Sequence, residues 1–234
     1  MIADIRPRCI RKVAPARRQL LQRLAALGVL ASVAGPRGAL AQPVAPKLLV
    51  LGDSLSAEYG LRRGAGWPTL LQQRLRAQRL AWEVVNASVS GETTSGGASR
   101  LPALLARHQP RAVVIELGGN DALRGLPLDG TRANLRRMVQ QARQAGAQVL
   151  VAGMRIPPNY GRDYSERFER VFADVARDEG AVLVPFLLEG LVEREELFQQ
   201  DRIHPTEAAQ PFLLDNLWPA LLPMLQAALA TRRS

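Results

Sequence analysis

The sequence predicts an α/β fold: a three-layer α/β/α sandwich built on a mostly parallel five-stranded sheet. Three observations predict it. From Lys47 onward short aliphatic runs alternate with amphipathic stretches, which is the signature of a βαβ series. The aliphatic runs are almost continuously apolar, as strands covered on both faces of a parallel sheet are. The 234 residues, 47% hydrophobic and 22% charged, fit one domain with an appendage and exclude disordered, collagenous and low-complexity chains.

The elements follow in order. Leu48-Leu49-Val50-Leu51 is the first strand, and the amphipathic stretch over 67–79 is the first helix. Val84-Val85 marks a second strand and 94–107 a second helix, which Gln109-Pro110 ends. Ala112-Val113-Val114-Ile115, a helix over 131–145, Val149-Leu150-Val151-Ala152, a helix over 164–179 and Ala181-Val182-Leu183-Val184 continue the alternation, and a last helix spans about 206–229. No internal repeat or long linker interrupts the series, so residues 42–234 form a single domain.

Residues 1–41 read as an address rather than as structure. Arg11, Lys12, Arg17, Arg18 and Arg23 precede an uncharged run from Leu24 to Gly35, and Ala39-Leu40-Ala41 supplies a small-x-small cleavage site. The run is too short to span a bilayer, which needs roughly 20 apolar residues. We therefore expect a signal peptide, removed after Ala41, and a periplasmic or secreted protein with no stable membrane anchor. Arg17-Arg18-Gln19-Leu20-Leu21 is similar to a twin-arginine export signal. Cys9, the one cysteine, lies in this segment, so the mature chain has no disulfide, thiol nucleophile or thiolate metal site. The formal charge of +10 also shrinks: residues 1–41 hold eight Lys+Arg and one acid, leaving 23 bases against 20 acids. Without an arginine stripe or interleaved aromatics, nucleic acid is not an expected partner.

Ligands of open parallel sheets bind beyond the carboxyl ends of the strands, and polar blocks stand at those places. Gly52-Asp53-Ser54-Leu55-Ser56 follows the first strand, Asn86-Ala87-Ser88-Val89-Ser90-Gly91-Glu92-Thr93 the second, and Gly118-Gly119-Asn120-Asp121 the third; Asp201-Arg202-Ile203-His204-Pro205 comes near the end. A serine needs a base to become a nucleophile, and the mature chain offers His108 and His204. His108 sits in the last turn of a helix, where a cation is favoured by the dipole. His204 has Asp201 three residues earlier, close enough to fold back and accept the ring's other N–H, and Pro205 holds it out of the helix. Ser54 is presented at a strand end, whereas Ser88, Ser90, Ser95 and Ser99 read as turn and cap serines. Ser54, His204 and Asp201 are thus the candidate nucleophile, base and orienting acid; Asp53, adjacent to the nucleophile, ties down the loop instead. The absence of a G-x-S-x-G elbow disfavours the α/β-hydrolase fold. No phosphate-loop or dinucleotide motif follows the first strand, and the clusters zinc requires are missing, so no cofactor and no metal are expected. Gly91 lets a backbone N–H approach a ligand closely, and Asn120 carries a side-chain amide donor; singly, each reads better as a turn residue.

The four blocks, in this order, resemble those of the SGNH hydrolases, also called the GDSL family. Gly52-Asp53-Ser54-Leu55-Ser56-Ala57, Gly118-Gly119-Asn120-Asp121 and Pro158-Asn159-Tyr160-Gly161 are similar to its thioesterase I/lysophospholipase L1/arylesterase group. The resemblance covers about residues 47–229 and implies a flavodoxin-like SGNH hydrolase fold. It implies that the Ser54 N–H, the Gly91 N–H and the Asn120 side chain form an oxyanion hole, and that Leu123 and Ile156 line an acyl groove. The function it implies is hydrolysis of carboxylic esters or thioesters through an acyl-enzyme, with a small acyl-ester, thioester or lysophospholipid substrate and a monomeric protein. The alternative is a non-catalytic carrier of lipid or acyl ligands on the same fold.

Overall fold

The run of branched and long aliphatic side chains from Lys47 to Gly52 forms β1, and Ala112–Glu116 and Gln148–Ala152 form β3 and β4, the three inner strands of one sheet. Their aliphatic side chains are almost wholly withdrawn from water, each burial contributing roughly 1.5–3 kcal/mol. β2 (Glu83–Asn86) and β5 (Val182–Val184) complete the sheet at its edges, in the order β2-β1-β3-β4-β5 with every pairing parallel. The sheet is thus wholly parallel, and the edge strands are only partly buried because each has a neighbour on one side alone. In this computed structural model the described residues are 45–156 and 158–230; the expected signal peptide and its cleavage site lie outside them.

Helices α1 (Trp67–Ala77) and α6 (Gln210–Ala230) pack together, α1 against β2 and α6 against β3, β4 and β5. A second layer consists of α2 (Thr94–His108), α4 (Leu128–Gln144) and α5 (Arg162–Glu179), packed in that order against one another and against the sheet. Their boundaries have local causes. Pro68 occupies the first turn of α1, where its missing N–H costs nothing. Thr93 caps α2 by accepting the Gly96 N–H, so a threonine rather than a nearby serine serves as cap. α5 stops at Gly180, which takes the left-handed conformation. α4 begins at Leu128, three residues before the apolar periodicity suggests, because Pro127 and Asp129 suit a first turn. The last helix begins later than expected, after a single 3-10 turn over Glu207–Ala209. One short helix, α3 (Gly119–Leu123), has no counterpart in the sequence reading.

The strand order reverses between β1 and β3, whose carboxyl ends lie side by side: Gly52 pairs with Glu116 in register. A crevice at such a reversal is where ligands of this architecture sit. The chain leaving β1 carries Ser54, and the chain leaving β3 carries Asn120.

Candidate active site

Ser54 lies two residues beyond β1 in a tight turn. The Asp53 carbonyl accepts the Ala57 N–H at 2.9 Å, and the Asp53 carboxylate accepts the Leu55 N–H at 3.1 Å. Gly52 makes the turn feasible, since a Cβ there would stand 2.7 Å from both Glu116 Oε2 and Ser56 Oγ. The serine side chain is held at the sheet end, half-buried, by backbone bonds that leave its own hydroxyl uncommitted to the turn.

His204 approaches from the other end of the chain. Asp201 Oδ1 accepts the backbone N–H groups of Ile203 and His204 at 2.9 and 3.0 Å, and Arg202 between them takes a left-handed φ of 56°. That turn brings Asp201 Oδ2 to 2.7 Å from His204 Nδ1, while His204 Nε2 stands 2.8 Å from Ser54 Oγ. Partial burial raises the Asp201 pKa, but the backbone and ring N–H groups that it accepts outweigh this and hold it down at about 2. An ionised carboxylate can only accept, so Nδ1 carries the hydrogen and the neutral ring turns the Nε2 lone pair to the serine. The Tyr59 ring lies against the imidazole, 4.4 Å between centroids.

Three ties hold these distant loops together. Gln199 donates from Nε2 to the Tyr59 and Pro205 carbonyls, at 2.9 and 3.2 Å, and its backbone N–H donates to the His204 carbonyl at 2.7 Å. Arg62 meets Glu207 through its backbone N–H and guanidinium. The Gln210 side-chain carbonyl accepts the Trp67 N–H at 3.0 Å, capping α1 from the start of α6.

Asn120 belongs to α3 rather than to a strand end, and its Nδ2 donates to Asp53 Oδ2 at 3.0 Å. Asp121, beside it, points the other way: its buried carboxylate accepts the Thr94 N–H at 2.9 Å and the hydroxyls of Thr94 and Thr131. Gly91 has a φ of 77°, which a residue with a side chain adopts at a cost, and its carbonyl accepts from Arg124 Nη2 at 2.9 Å. That bond links the loop after β2 to the end of α3. Leu123, the last residue of α3, is 39% exposed, whereas Ile156 is partly buried against the core.

His108 ends α2, outside this cluster. Sequence reasoning missed Glu116 and Ser56. Glu116, the last residue of β3, is wholly buried; its Oε2 accepts from Ser56 Oγ at 2.7 Å and from the Asp53 N–H at 3.3 Å. Ser56 in turn accepts from Trp67 Nε1 at 3.2 Å. An acid closing an otherwise aliphatic strand was the available signal, since acids are almost never fully buried without a partner. Among the described residues no three or more His, Cys, Asp or Glu side chains are grouped to hold a metal ion.

The chain is similar to several known proteins. Esterase TesA of Pseudomonas aeruginosa is 53% identical over 184 residues, covering 79% of this chain and 92% of that protein. The thioesterase 1/protease 1/lysophospholipase L1 of Escherichia coli K12 is 43% identical over 181 residues, 77% of this chain and 86% of that protein. Among solved structures, the psychrotrophic esterase EstA from Pseudoalteromonas sp., in a form inhibited by monoethylphosphonate, superposes with a TM-score of 0.74 at 39% identity, covering 77% of this chain and 98% of that one. Residues 50–210, the span from β1 through the His204 loop, match the model of the GDSL-like lipase/acylhydrolase family, and the chain belongs to that family.

Proposed function

We propose that this protein is a serine esterase that cleaves carboxylic esters or thioesters through an acyl-enzyme. The observation that carries the reading is the continuous chain from Ser54 Oγ to His204 Nε2 (2.8 Å) and from His204 Nδ1 to Asp201 Oδ2 (2.7 Å). Ser54 Oγ attacks the acyl carbonyl as His204 Nε2 takes its proton, and Asp201 stabilises the imidazolium without itself becoming protonated. The oxygen that gains charge is received by the N–H groups of Ser54 and Gly91 and by the Asn120 amide. Collapse of the tetrahedral adduct breaks the bond to the alcohol or thiol, which leaves with the proton from His204. A water molecule, deprotonated by the same imidazole, then hydrolyses the acyl-Ser54.

The printed names of the relatives, esterase and thioesterase/lysophospholipase, support this substrate class. So does a set of exposed apolar side chains on the segments that follow the carboxyl ends of the strands: Tyr59, Val89, Leu123, Leu126, Tyr160 and Ile203. Leu123 and Ile156 serve the acyl chain in this reading. The protein works as a monomer, its core closed within one domain, and reaches the periplasm or medium after loss of residues 1–41. Turnover of p-nitrophenyl esters of increasing chain length, acyl-CoA and lysophosphatidylcholine tests the reading. At least one class should be hydrolysed, and Ser54→Ala and His204→Ala should each abolish that turnover; hydrolysis undiminished in either variant contradicts the mechanism.

A further inference from the structure

Beneath the nucleophile turn lies a pair of buried acids. Glu116 is 0% exposed and Asp53 3% exposed, and neither takes part in an ion pair among the described residues. Glu116 Oε2 is supplied with two donors, the Ser56 hydroxyl and the Asp53 N–H, but Oε1 has none. Besides Ser56, the side chain within hydrogen-bonding contact of Glu116 is the Asp53 carboxyl. Two ionised carboxylates so placed repel each other in a dry site and leave an acceptor bare, at a cost of several kcal/mol by the usual desolvation scale. A single proton on Glu116 Oε1, donated to Asp53, removes both penalties.

We propose that Glu116 and Asp53 share one proton, and that they act together as positioning residues which keep the Asn120 amide facing the reacting carbonyl as a donor. Asp53 has two oxygens with two separate duties: Oδ1 accepts the Leu55 N–H behind the nucleophile, and Oδ2 accepts Asn120 Nδ2. While Asp53 stays ionised it can only accept, so the amide of Asn120 must turn its NH₂ group inward, and the second N–H of that group is left for the oxyanion. A proton on Asp53 in place of Glu116 would let the amide reverse and present its carbonyl oxygen. Burial, opposed by the bonds from Leu55 and Asn120, raises the Asp53 pKa to about 6, with His204 lowering it and Asp121 raising it. Burial and the neighbouring Asp53 push Glu116 well above the usual carboxyl range. At neutral pH the pair therefore holds one proton and one charge.

The kinetic consequence rests on the esterase reading; the proton itself does not, and the experiment separates them. Infrared difference spectroscopy of the folded protein at neutral pH should show the C=O stretch of a protonated carboxyl group. It should vanish in Glu116→Gln, change in Asp53→Asn and persist in Asp121→Asn. Glutamine reproduces the neutral acid, accepting from Ser56 and donating to Asp53, so kcat lost in Glu116→Ala should be recovered in Glu116→Gln. Asp53→Asn puts an NH₂ where one acceptor stood, and should lower kcat by about 10- to 100-fold with KM little changed. No such band in the wild-type protein, or a band untouched by Asp53→Asn and Glu116→Gln alike, overturns the shared proton whatever the enzyme hydrolyses. A present band with a normal kcat in Asp53→Asn overturns the positioning role.

Discussion

Asn120 is the residue at which the local and the chemical readings part most cleanly. As an oxyanion donor it acts on charge that exists only in the transition state, so Asn120→Ala should lower kcat by about 10²–10³, or roughly 2.7–4 kcal/mol, with KM nearly unchanged. A plain turn residue would instead lower the melting temperature and leave kcat intact; kcat, KM and melting temperature of the one variant decide between them. Asp53 gives a pH signature. Its pKa rises from 3.8 to about 6 on folding, so between those values the native state binds more proton than the unfolded chain, and this group erodes stability as pH rises through that window. Removing it should make stability climb more steeply from pH 4 to 6, and urea midpoints of Asp53→Asn against wild type measure the difference. Asp201 has the opposite sign: held at about 2, it contributes stability that is lost as pH falls below the ordinary carboxyl range. Ser54, Asp201 and His204 were legible from sequence because each stands next to a strand end or within one turn of its partner. Glu116 was not, because its partners Ser56 and Asp53 lie some 60 residues away and only the parallel register of β1 and β3 brings them to it.

At the scale of elements, α3 shows how much a five-residue helix can position. Gly119–Leu123 is too short for apolar periodicity to declare itself, and its glycine-rich entry reads as loop. In the fold it turns Asn120 toward Asp53 and Asp121 toward α2 and α4, so alternate jobs fall to adjacent residues. Asp121→Ala should therefore cost stability, about 1–3 kcal/mol for the buried donors it strands, while reducing kcat far less than Asn120→Ala does. Denaturant unfolding together with kcat on the same preparation checks it. β5 and the central strands were readable as unbroken aliphatic runs, whereas β2, with only Val84-Val85 to mark it, owed its reading to its place in the alternation. The α4 boundary shifted because Pro127 and Asp129 set a helix start that precedes the first strongly periodic residues.

For the whole molecule, the wholly parallel sheet sets the site: the reversal between β1 and β3 places two carboxyl ends together, and the ties through Gln199, Glu207 and Gln210 fasten the histidine loop to the segment that follows β1. The wholly parallel pairing follows from helices separating every consecutive pair of strands, which made the architecture the most legible feature of the sequence. Export belongs to this scale too. Amino-terminal sequencing of protein recovered from the periplasm or medium should begin at Gln42, whereas a mature chain that keeps Cys9 would refute cleavage after Ala41. Ser54, activated by His204, is the nucleophile on which the whole mechanism depends. Mass spectrometry of the protein after treatment with a fluorophosphonate should find one phosphonyl group per chain, mapped to Ser54 and absent in both Ser54→Ala and His204→Ala, whereas an unlabelled Ser54 in the folded protein, or a label carried by another serine, would rule out Ser54 as that nucleophile.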